Sequence, residues 1–208
     1  MKTKLEQKIE TILPTIHGWC CYEKAAKLAN LIVEDNMQLC VEIGVYGGSS
    51  LIPQAMALAE KNSGIVYGID PWKVEDALEE MIHQDHKDWW GKLDLESIYK
   101  HCLHHIESNK LQKYCELIRD KSENVVNRFA DNSIDLLHID GNHSEVLSYK
   151  DATLYIPKVK SGGYVMFDDI WWSEVEGVVA TRKAILHLLE YCDKVCIINN
   201  DCMLMRKR

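Results

Sequence analysis

Two short hydrophobic runs near the middle of the chain end in acidic residues. Ile134–Ile139 is followed by Asp140, and residues 164–167 are followed by Asp168 and Asp169. Apolar runs of this length, bounded by Gly, Asn and Asp, are typical of strands buried on both faces of a parallel sheet. The segment between them is long enough to be the crossover helix of a βαβ unit. Because the carboxyl ends of parallel strands lie at one edge of a sheet, we expect the three carboxylates to meet where open α/β folds bind ligands.

The remaining hydrophobic pattern predicts alternating helices and strands. Helical spacing predicts helices over residues 2–12, 22–34, 54–61, 122–130, 144–155 and 175–191. Apolar runs predict strands over residues 39–43, 64–69, 114–119, 134–139, 164–167, 195–198 and 202–205. The turn at residues 199–201, Asn-Asn-Asp, joins the last two strands as a hairpin. We therefore expect an α/β fold: a Rossmann-like, doubly wound sheet of seven strands, mostly parallel, with an antiparallel C-terminal hairpin strand and helices on both faces.

Residues 72–110 are polar, rich in His and Trp, and longer than a minimal crossover connection. A connection of this length in a compact domain is often a functional lid. We expect a single domain over residues 1–208 that carries a helical, lid-like insert at about residues 72–110. Its tryptophans are expected either to pack in the ordinary way or to form a platform for a flat or sugar-like substrate.

Composition limits the classes of function open to the chain. The 208 residues are 47% hydrophobic, which is enough for one core, and they carry a net charge of −8. The only basic run is the last three residues, so we do not expect a nucleic-acid surface. No stretch resembles a signal peptide or a membrane span, and we therefore expect a soluble, cytoplasmic protein.

A glycine-rich turn lies between the first predicted strand and the next helix. It runs from Gly44 to Ser50, an arrangement that brings a ligand close to backbone amides at a helix N-terminus. Tyr46 stands where a dinucleotide fingerprint has its second glycine, so we do not expect NAD. Asp70 ends the next strand, where an acidic residue can accept hydrogen bonds from both ribose hydroxyls of a nucleoside. The alternatives are tight strand-to-helix packing for the glycines and a turn aspartate before Pro71.

Three carboxylates that meet without partners repel one another, so the cluster needs a cation, a shared proton or basic neighbours. Oxygen ligands of this kind favour magnesium, calcium or manganese. The alternative is that Asp168 and Asp169 cap the following helix while Asp140 lies in a solvated turn. His143 follows Asp140 in the same loop, and a histidine beside a divalent cation is a candidate general base. A solvated loop histidine is the alternative for this position.

The glycine turn resembles the cofactor site of a known enzyme family. Residues 42–50 read EIGVYGGSS and residues 68–70 read GID, which is similar to class I S-adenosylmethionine-dependent methyltransferases. The resemblance covers most of the chain in order and leaves residues 72–110 poorly matched. It implies that S-adenosyl-L-methionine is the cofactor, with one carboxylate on the ribose and a serine near adenine, although residues 120–121 read Asp-Lys where relatives often have Gly-Asp. The implied cofactor-binding residues are Glu42, Gly44, Tyr46, Gly48, Ser50, Asp70 (ribose), Ser122 (adenine) and Asp140.

The spacing of the acidic residues resembles the metal site of catechol O-methyltransferase and of macrolide sugar O-methyltransferases. The motif HIDGNH, residues 138–143, is similar to the macrocin and mycinamicin enzymes, whose relatives include proteins named as cephalosporin hydroxylases. The resemblance implies that Asp140, Asp168 and Asp169 hold Mg²⁺ or Mn²⁺. It also implies that His143 and Asp140 are catalytic, with His143 as the base. The implied reaction is methylation of a hydroxyl of a sugar or glycan whose vicinal hydroxyls chelate the metal.

Three other functions are kept as alternatives. A catechol or another phenol could replace the sugar, because the same metal geometry chelates either diol. A non-haem iron hydroxylase needs two histidines and one carboxylate, and only one well-placed histidine is visible. A cofactor-binding protein without catalysis is disfavoured by His143 and by the predicted metal ligands. The sequence does not decide the acceptor, the hydroxyl that is modified or the oligomeric state, and a homo-oligomer is compatible with it.

Overall fold

A seven-stranded mixed sheet forms the centre of the protein in a computed structural model, which describes residues 2–208. Its strands are β1 Leu39–Ile43, β2 Ile65–Ile69, β3 Cys115–Ile118, β4 Ile134–Ile139, β5 Val159–Phe167, β6 Cys192–Ile198 and β7 Cys202–Lys207. The spatial order is β3-β2-β1-β4-β5-β7-β6. The pairings among β1 to β5 are parallel, and β7 runs antiparallel to both of its neighbours. The predicted Rossmann-like fold with an antiparallel C-terminal strand is confirmed.

Nine α-helices accompany the strands in the described part of the chain, and the first two precede β1. They are α1 Lys4–Ile12, α2 Tyr22–Glu34, α3 Leu51–Lys61, α4 Val74–Ala77, α5 Gln84–Trp90, α6 Leu95–Ser108, α7 Ser122–Val125, α8 Glu145–Tyr155 and α9 Arg182–Tyr191. None of these helices combines the length and the apolar character that crossing a membrane requires.

Successive side chains along each strand pack on opposite faces of the sheet. Leu136 faces the core under α1, α2, α3 and α6, whereas Leu137 faces the core under α7, α8 and α9. β4 lies in the middle of the sheet and is buried along nearly its whole length. Burial on both faces explains why this strand has a continuous apolar run instead of an alternating pattern. Because β4 is buried in the middle of the sheet, the loop that follows it, which carries Asp140 and His143, begins from a fixed position.

The prediction of a helix over residues 175–191 is wrong at its beginning. α9 starts at Arg182, and before it Val175 and Val178 form a short antiparallel bridge around Gly177, whose φ is +77°. The helical spacing of the two valines does not mark a buried face, because both side chains are about half exposed. A glycine with positive φ leaves the helical path, and the helix therefore begins after this turn.

The polar segment over residues 72–110 divides into two parts. The second part is α6, a crossover helix between β2 and β3 that buries Leu95, Ile98 and Cys102 in the core. The first part, residues 74–93, contains α4 and α5 and contributes side chains to the wall of a cavity. Only this first part is a candidate for the expected lid.

Candidate active site

A cavity of about 670 Å³ lies at the carboxyl ends of β1, β2, β4 and β5. This volume is within the range of small-molecule sites. Most of the site residues predicted from the sequence line it, although they come from separate segments of the chain. These lining residues are Gly44, Tyr46, Ser50, Asp70, Ser122, Asp140, His143, Asp168 and Asp169. Two other predicted cofactor residues, Glu42 and Gly48, are not part of the wall.

The glycine turn after β1 packs directly on the loop after β4. Gly44 has a φ of +83°, and a Cβ atom at this position would lie 2.0 Å from the carbonyl oxygen of Asp140. The amide of Asp140 donates a hydrogen bond to the carbonyl of Ile43 at 2.8 Å, which joins the two loops. Both the backbone conformation and the available space therefore require glycine at this position. The turn predicted to hold the cofactor also supports the loop that carries His143.

Asp70 organises the loops that follow β1 and β2. The backbone N–H groups of Val45 and Tyr46 donate to one oxygen of its carboxylate, both at 3.0 Å, and that of Trp72 donates to the other oxygen at 2.7 Å. The indole N–H of Trp72 donates to the carbonyl of Tyr46 at 2.8 Å. Burial raises the pKa of Asp70, although the three backbone donors favour the charged form. The acidic residue predicted to bind ribose thus also fixes the shape of the glycine turn.

Three residues of the cavity wall have left-handed backbone conformations in spite of their side chains. The φ angle is +50° at Tyr46, +47° at Trp72 and +52° at Asp169. Such conformations are uncommon in residues other than glycine and asparagine, and they concentrate at functional sites where surrounding contacts enforce them. At Tyr46 and Trp72 the enforcing contacts are the hydrogen bonds to Asp70. Three residues with this conformation therefore meet at one cavity, which makes the cavity a candidate functional site.

Glu42 lies behind the cavity wall. Its buried carboxylate accepts hydrogen bonds from Ser50 Oγ at 2.8 Å and from Gln54 Nε2 at 2.5 Å, and His138 Nδ1 lies 2.9 Å from it. Gly48 also packs away from the cavity, because a Cβ atom there would lie 2.7 Å from a sulfur atom of α6. Both residues shape the turn from behind the wall, and their predicted contact with the cofactor stays a prediction.

The ammonium group of Lys24, on α2, lies against two of the three predicted metal ligands. Its Nζ donates a hydrogen bond to Asp168 Oδ2 and is 3.6 Å from Asp140 Oδ2. Burial alone would lower the pKa of Lys24, but the two carboxylates raise it. Sequence reasoning missed this residue. The signal for it is that Lys24 lies in helical phase with Leu28 and Leu31 on the buried face of α2.

A second cation enters the acidic cluster from β4. His138 is fully buried, with Nε2 3.3 Å from Asp168 Oδ2 and Nδ1 bonded to Glu42. Burial alone would lower the pKa of His138, but Glu42 and Asp168 raise it to about 10. Burial would raise the pKa of Asp168, but His138 and Lys24 lower it. Burial and Asp168 raise the pKa of Asp140. The cluster therefore holds its own positive charges.

The predicted set of magnesium ligands is not formed. Among residues 2–208, two groups bring three ligand atoms within 4.8 Å of one another: His138 with Asp140 and Asp168, and Asp140 with His143 and Asp169. In the first group, the ammonium group of Lys24 already lies against the carboxylates of Asp140 and Asp168. In the second group, Nε2 of His143 and Oδ2 of Asp169 already lie 3.0 Å apart, in close contact with each other. The prediction that Asp140, Asp168 and Asp169 together hold Mg²⁺ does not fit this arrangement of donors.

His143 lines the cavity, and one of its ring nitrogens lies close to a carboxylate. Its Nε2 is 3.0 Å from Asp169 Oδ2, and its ring packs against the indole of Trp172 with centroids 4.8 Å apart. Asp169 is held in place because its carbonyl accepts hydrogen bonds from Thr181 Oγ1 and from the backbone N–H of Trp172, both at 2.9 Å. If Nε2 donates to Asp169, Nδ1 carries the lone pair and can accept a proton. His143 therefore remains a candidate general base.

Residues 74–93 extend from the cavity wall to the loops after β4 and β5. Asn142 Nδ2 donates to the carbonyl of Glu79 at 2.8 Å. The ring of His86 packs on the indole of Trp172 with centroids 4.9 Å apart. This part of the chain therefore covers the region beside the candidate base.

Aromatic rings form another part of the wall. Trp19 stacks on Tyr46 with centroids 4.8 Å apart and contacts Trp89 at 5.5 Å, while Trp90 meets Tyr46 edge to face at 5.9 Å. Trp19 is 68% exposed and Trp89 is 43% exposed. Since these two rings are not buried in the core, they offer a surface on which a ligand can pack.

Ser122, which was predicted to lie near adenine, bonds to a buried carboxylate. Its hydroxyl donates to Asp151 Oδ1, and its carbonyl accepts a hydrogen bond from the hydroxyl of Tyr155 at 2.8 Å. Both Ser122 and Asp151 line the cavity. Burial raises the pKa of Asp151 to about 7, although the Ser122 hydroxyl acts in the opposite direction. Asp151 is a further wall residue that sequence reasoning missed.

Because its pKa is raised in the folded protein, Asp151 should make stability depend on pH. The stabilisation that the folded protein gains from the protonated Asp151 carboxyl group is fully present below the ordinary pKa of 3.8. It is lost as the pH rises through about 7. From this group we expect the free energy of unfolding to fall over that window by at most about 1.4 kcal/mol per pH unit. Urea unfolding of the wild type and of Asp151→Asn from pH 4 to 8 measures the effect. A difference between the two proteins that stays constant with pH would contradict the assignment.

Comparison with known sequences identifies related proteins. A family model described as a methyltransferase domain matches residues 41–170. The uncharacterized protein R132 of Acanthamoeba polyphaga mimivirus is 30% identical to this chain over 142 residues. That match covers 68% of this chain and 55% of the viral protein, so the chain spans about half the length of this curated relative.

Solved structures share the fold at low sequence identity. A putative caffeoyl-CoA O-methyltransferase from Staphylococcus aureus has a TM-score of 0.66 and 14% identity, covering 100% of this chain and 93% of that one. The O-methyltransferase TomG from Streptomyces achromogenes, in complex with SAM, has a TM-score of 0.64 and 13% identity, covering 100% and 91%. The SAH-bound methyltransferase PaMTH1 from Podospora anserina has a TM-score of 0.67 and 10% identity, covering 100% and 89%. At these identities the similarity shows a common fold.

Proposed function

This chain belongs to the methyltransferase domain family, and we propose from that premise that it transfers the methyl group of S-adenosylmethionine to a hydroxyl of a sugar or glycan. In this reaction the bond between the methyl carbon and the sulfonium sulfur breaks, and a bond between the methyl carbon and the acceptor oxygen forms. S-adenosylhomocysteine leaves, and the proton of the hydroxyl passes to the protein.

The observation that carries the proposal is the placement of His143 and Asp169 in the same cavity as the glycine turn. A hydroxyl is a weak nucleophile at neutral pH, so its methylation needs a group that removes the proton. We assign this role to Nδ1 of His143. Asp169 holds the other ring nitrogen in its protonated form and fixes the orientation of the ring. The rest of the acceleration comes from holding the methyl group and the acceptor oxygen in line.

We place the cofactor along the glycine turn, between Tyr46 and Asp70. Gly44 lets the backbone come close to the ligand, and an aromatic face such as that of Tyr46 attracts the sulfonium cation. The carboxylate oxygens of Asp70 keep lone pairs that can accept the ribose hydroxyls in addition to the backbone N–H groups. Ser122 and Asp151 then lie where the adenine is expected.

Replacing Asp70 with alanine is expected to weaken S-adenosylmethionine binding by about 1.5–3 kcal/mol. The ribose would lose a charged acceptor, and the glycine turn would lose the carboxylate that supports it. Isothermal titration calorimetry measures the affinity, and thermal unfolding shows whether the variant is folded. Glu75→Ala is the matched control, because Glu75 is an exposed carboxylate that does not line the cavity. Unchanged affinity in a folded Asp70→Ala protein would remove Asp70 from the proposed site.

We assign no catalytic step to a metal ion. The magnesium or manganese site expected on three aspartates does not fit, because the ammonium group of Lys24 already lies against Asp140 and Asp168. Asp140 lines the cavity, and in this proposal it lies beside the acceptor. Proton removal depends in this proposal on His143 alone.

Two buried polar atoms near the candidate base support a hydroxylated acceptor. Nε1 of Trp172 and Nδ1 of His86 have no hydrogen-bond partner within residues 2–208, and both side chains line the cavity. Leaving such an atom without a partner costs about 1–3 kcal/mol. A sugar could bond to both atoms with its hydroxyls while the aromatic rings of the wall pack on its apolar face.

A catechol or another phenol is the second candidate acceptor. The exposed rings of Trp19 and Trp89 favour it, because a flat aromatic acceptor could stack on them. The iron hydroxylase alternative lacks this kind of support. It needs two histidines and one carboxylate, whereas both groups of metal-ligating side chains found among residues 2–208 have one histidine and two carboxylates.

We assign the role of a lid to residues 74–93, in a chain that forms one domain. Their contacts with Asn142 and with Trp172, whose indole packs against His143, support this assignment. A lid in this position would exclude water while the methyl group is transferred.

An assay of S-adenosylhomocysteine release tests the proposed function. Glycosides and nucleotide sugars with vicinal hydroxyls should support turnover, and the same compounds with those hydroxyls methylated should not. Turnover with catechols alone would select the second candidate. If the protein binds S-adenosylmethionine but turns over neither class of hydroxyl compound, the proposal is wrong.

A further inference from the structure

We propose that the ammonium group of Lys24 takes the place of the divalent cation implied by the resemblance to catechol and sugar O-methyltransferases. The site keeps two of the expected acidic ligands together, but the chain itself supplies the positive charge. On this view the protein works without a bound metal, and Lys24 is a catalytic residue.

The position of the ammonium group is the first support. Nζ of Lys24 bonds to Asp168 and is 3.6 Å from Asp140, so it lies against the two carboxylates that a metal would bridge. The side chains of Lys24 and Asp168 are only 7% and 2% exposed. The lysine reaches the cluster from the buried face of α2, where an unpaired ammonium would be strongly unfavourable. Its partners in the acidic cluster therefore account for its burial.

The charges around Asp168 are the second support. His138 is fully buried and bonds to this carboxylate through Nε2 at 3.3 Å, so Asp168 Oδ2 has both His138 and Lys24 as partners. A divalent cation held by the same oxygen would be repelled by the ammonium group beside it. Both partners contact Oδ2, while Oδ1 of Asp168 has no hydrogen-bond partner among residues 2–208, so the charge of the ammonium group is what opposes a metal ion. The cluster therefore disfavours a metal at Asp140 and Asp168.

Lys24 is placed to act on the acceptor. An ammonium group has three N–H donors; one of them bonds to Asp168, and a second is available to Asp140, whose Oδ2 lies 3.6 Å away. Lys24 also lines the cavity, as do Asp140 and His143. We assign the third N–H to the acceptor oxygen, where it would stabilise the negative charge that develops as His143 removes the proton. This is the role that a divalent cation performs in metal-dependent transfer.

A titration with Mn²⁺, followed by electron paramagnetic resonance, tests the inference. Wild-type protein is expected to bind no Mn²⁺ stoichiometrically. Lys24→Met should bind one Mn²⁺ at least about tenfold more tightly than the wild type, because removal of the ammonium leaves Asp140 and Asp168 without this cation. Adding Asp168→Asn to that variant should abolish the gain. Lys27→Met is the matched control, since Lys27 lies on the same helix and forms no ion pair with any residue from 2 to 208.

Two results would overturn the inference. One is stoichiometric Mn²⁺ binding by the wild type at either group of ligands. The other is a folded Lys24→Met protein that gains no Mn²⁺ binding. If Lys24→Met does not fold, the wild-type titration still decides, and Lys24→Arg, which keeps the charge, should resemble the wild type.

The role of Lys24 in methyl transfer rests on the proposed function, but the Mn²⁺ titration needs neither cofactor nor acceptor. A failure of the inference can therefore be told apart from a failure of the proposed function. Once an acceptor is known, removal of metals with EDTA should leave kcat unchanged. Loss of activity with EDTA and its return with Mg²⁺ would count against a metal-free site while leaving methyl transfer intact.

Discussion

His143→Gln is expected to lower kcat by about 10²–10⁴-fold, the usual contribution of a general base. Glutamine can still pack near Trp172 and bond to Asp169, but it cannot accept the proton of the acceptor. Binding of S-adenosylmethionine should change little, because the expected loss is confined to the chemical step. Steady-state kinetics with the acceptor found in the release assay, together with calorimetry for the cofactor, measure the two effects separately.

His104→Gln is the control for this variant, because His104 is exposed on α6 and does not line the cavity. It should retain the kcat of the wild type. If His143→Gln also retains it, His143 is only a loop residue. The base would then be sought first at His86, which lines the cavity, and next at His83 in the same segment.

Gly44→Ala is expected to lower the free energy of unfolding by about 3 kcal/mol or more and to abolish cofactor binding. The new Cβ atom would lie 2.0 Å from the carbonyl oxygen of Asp140 and 2.6 Å from Cα of Gly141, so one of two backbone segments has to move. The positive φ at this position adds strain to that displacement. Chemical denaturation measures the stability, and calorimetry measures the affinity for S-adenosylmethionine.

Gly177→Ala is a close control for the effect of backbone conformation. Gly177 has a φ of +77°, similar to the +83° of Gly44, but a Cβ atom there meets no atom of residues 2–208 within 4 Å. It should therefore show the cost of the positive φ alone, about 1–2 kcal/mol. Equal losses of stability in the two variants would mean that the contact between Gly44 and the loop after β4 is not tight.

The sequence predicts the fold well where hydrophobic burial decides it. β1 and β4 are predicted at their observed bounds, as is α2, because strands buried on two faces and a helix buried on one face leave clear patterns. The pattern fails at residues 175–181. There the valines keep a helical spacing without a core to face, and Gly177 directs the chain into a turn. Spacing alone cannot distinguish these two cases, since exposure is a property of the folded protein.

For the site, the sequence predicts which residues meet at the carboxyl ends of the strands but not how their charges are balanced. Asp140, Asp168 and Asp169 do lie at the same cavity, as parallel strands require. Lys24, in contrast, is far from them along the chain and approaches only because α2 packs on the sheet. A prediction from local motifs therefore proposes an external cation where tertiary packing brings an internal one.

The contact between Gly44 and Asp140 has a consequence for the order in which ligands act. With almost no free space between the two loops, any shift of the loop after β4 on acceptor binding would also displace the glycine turn, where we propose that the cofactor binds. The two binding equilibria are then linked, and linkage is reciprocal: an acceptor that tightens cofactor binding by some factor is itself bound more tightly, by the same factor, when the cofactor is present. The same linkage would apply to S-adenosylhomocysteine and the methylated product, because they would occupy the same pair of loops.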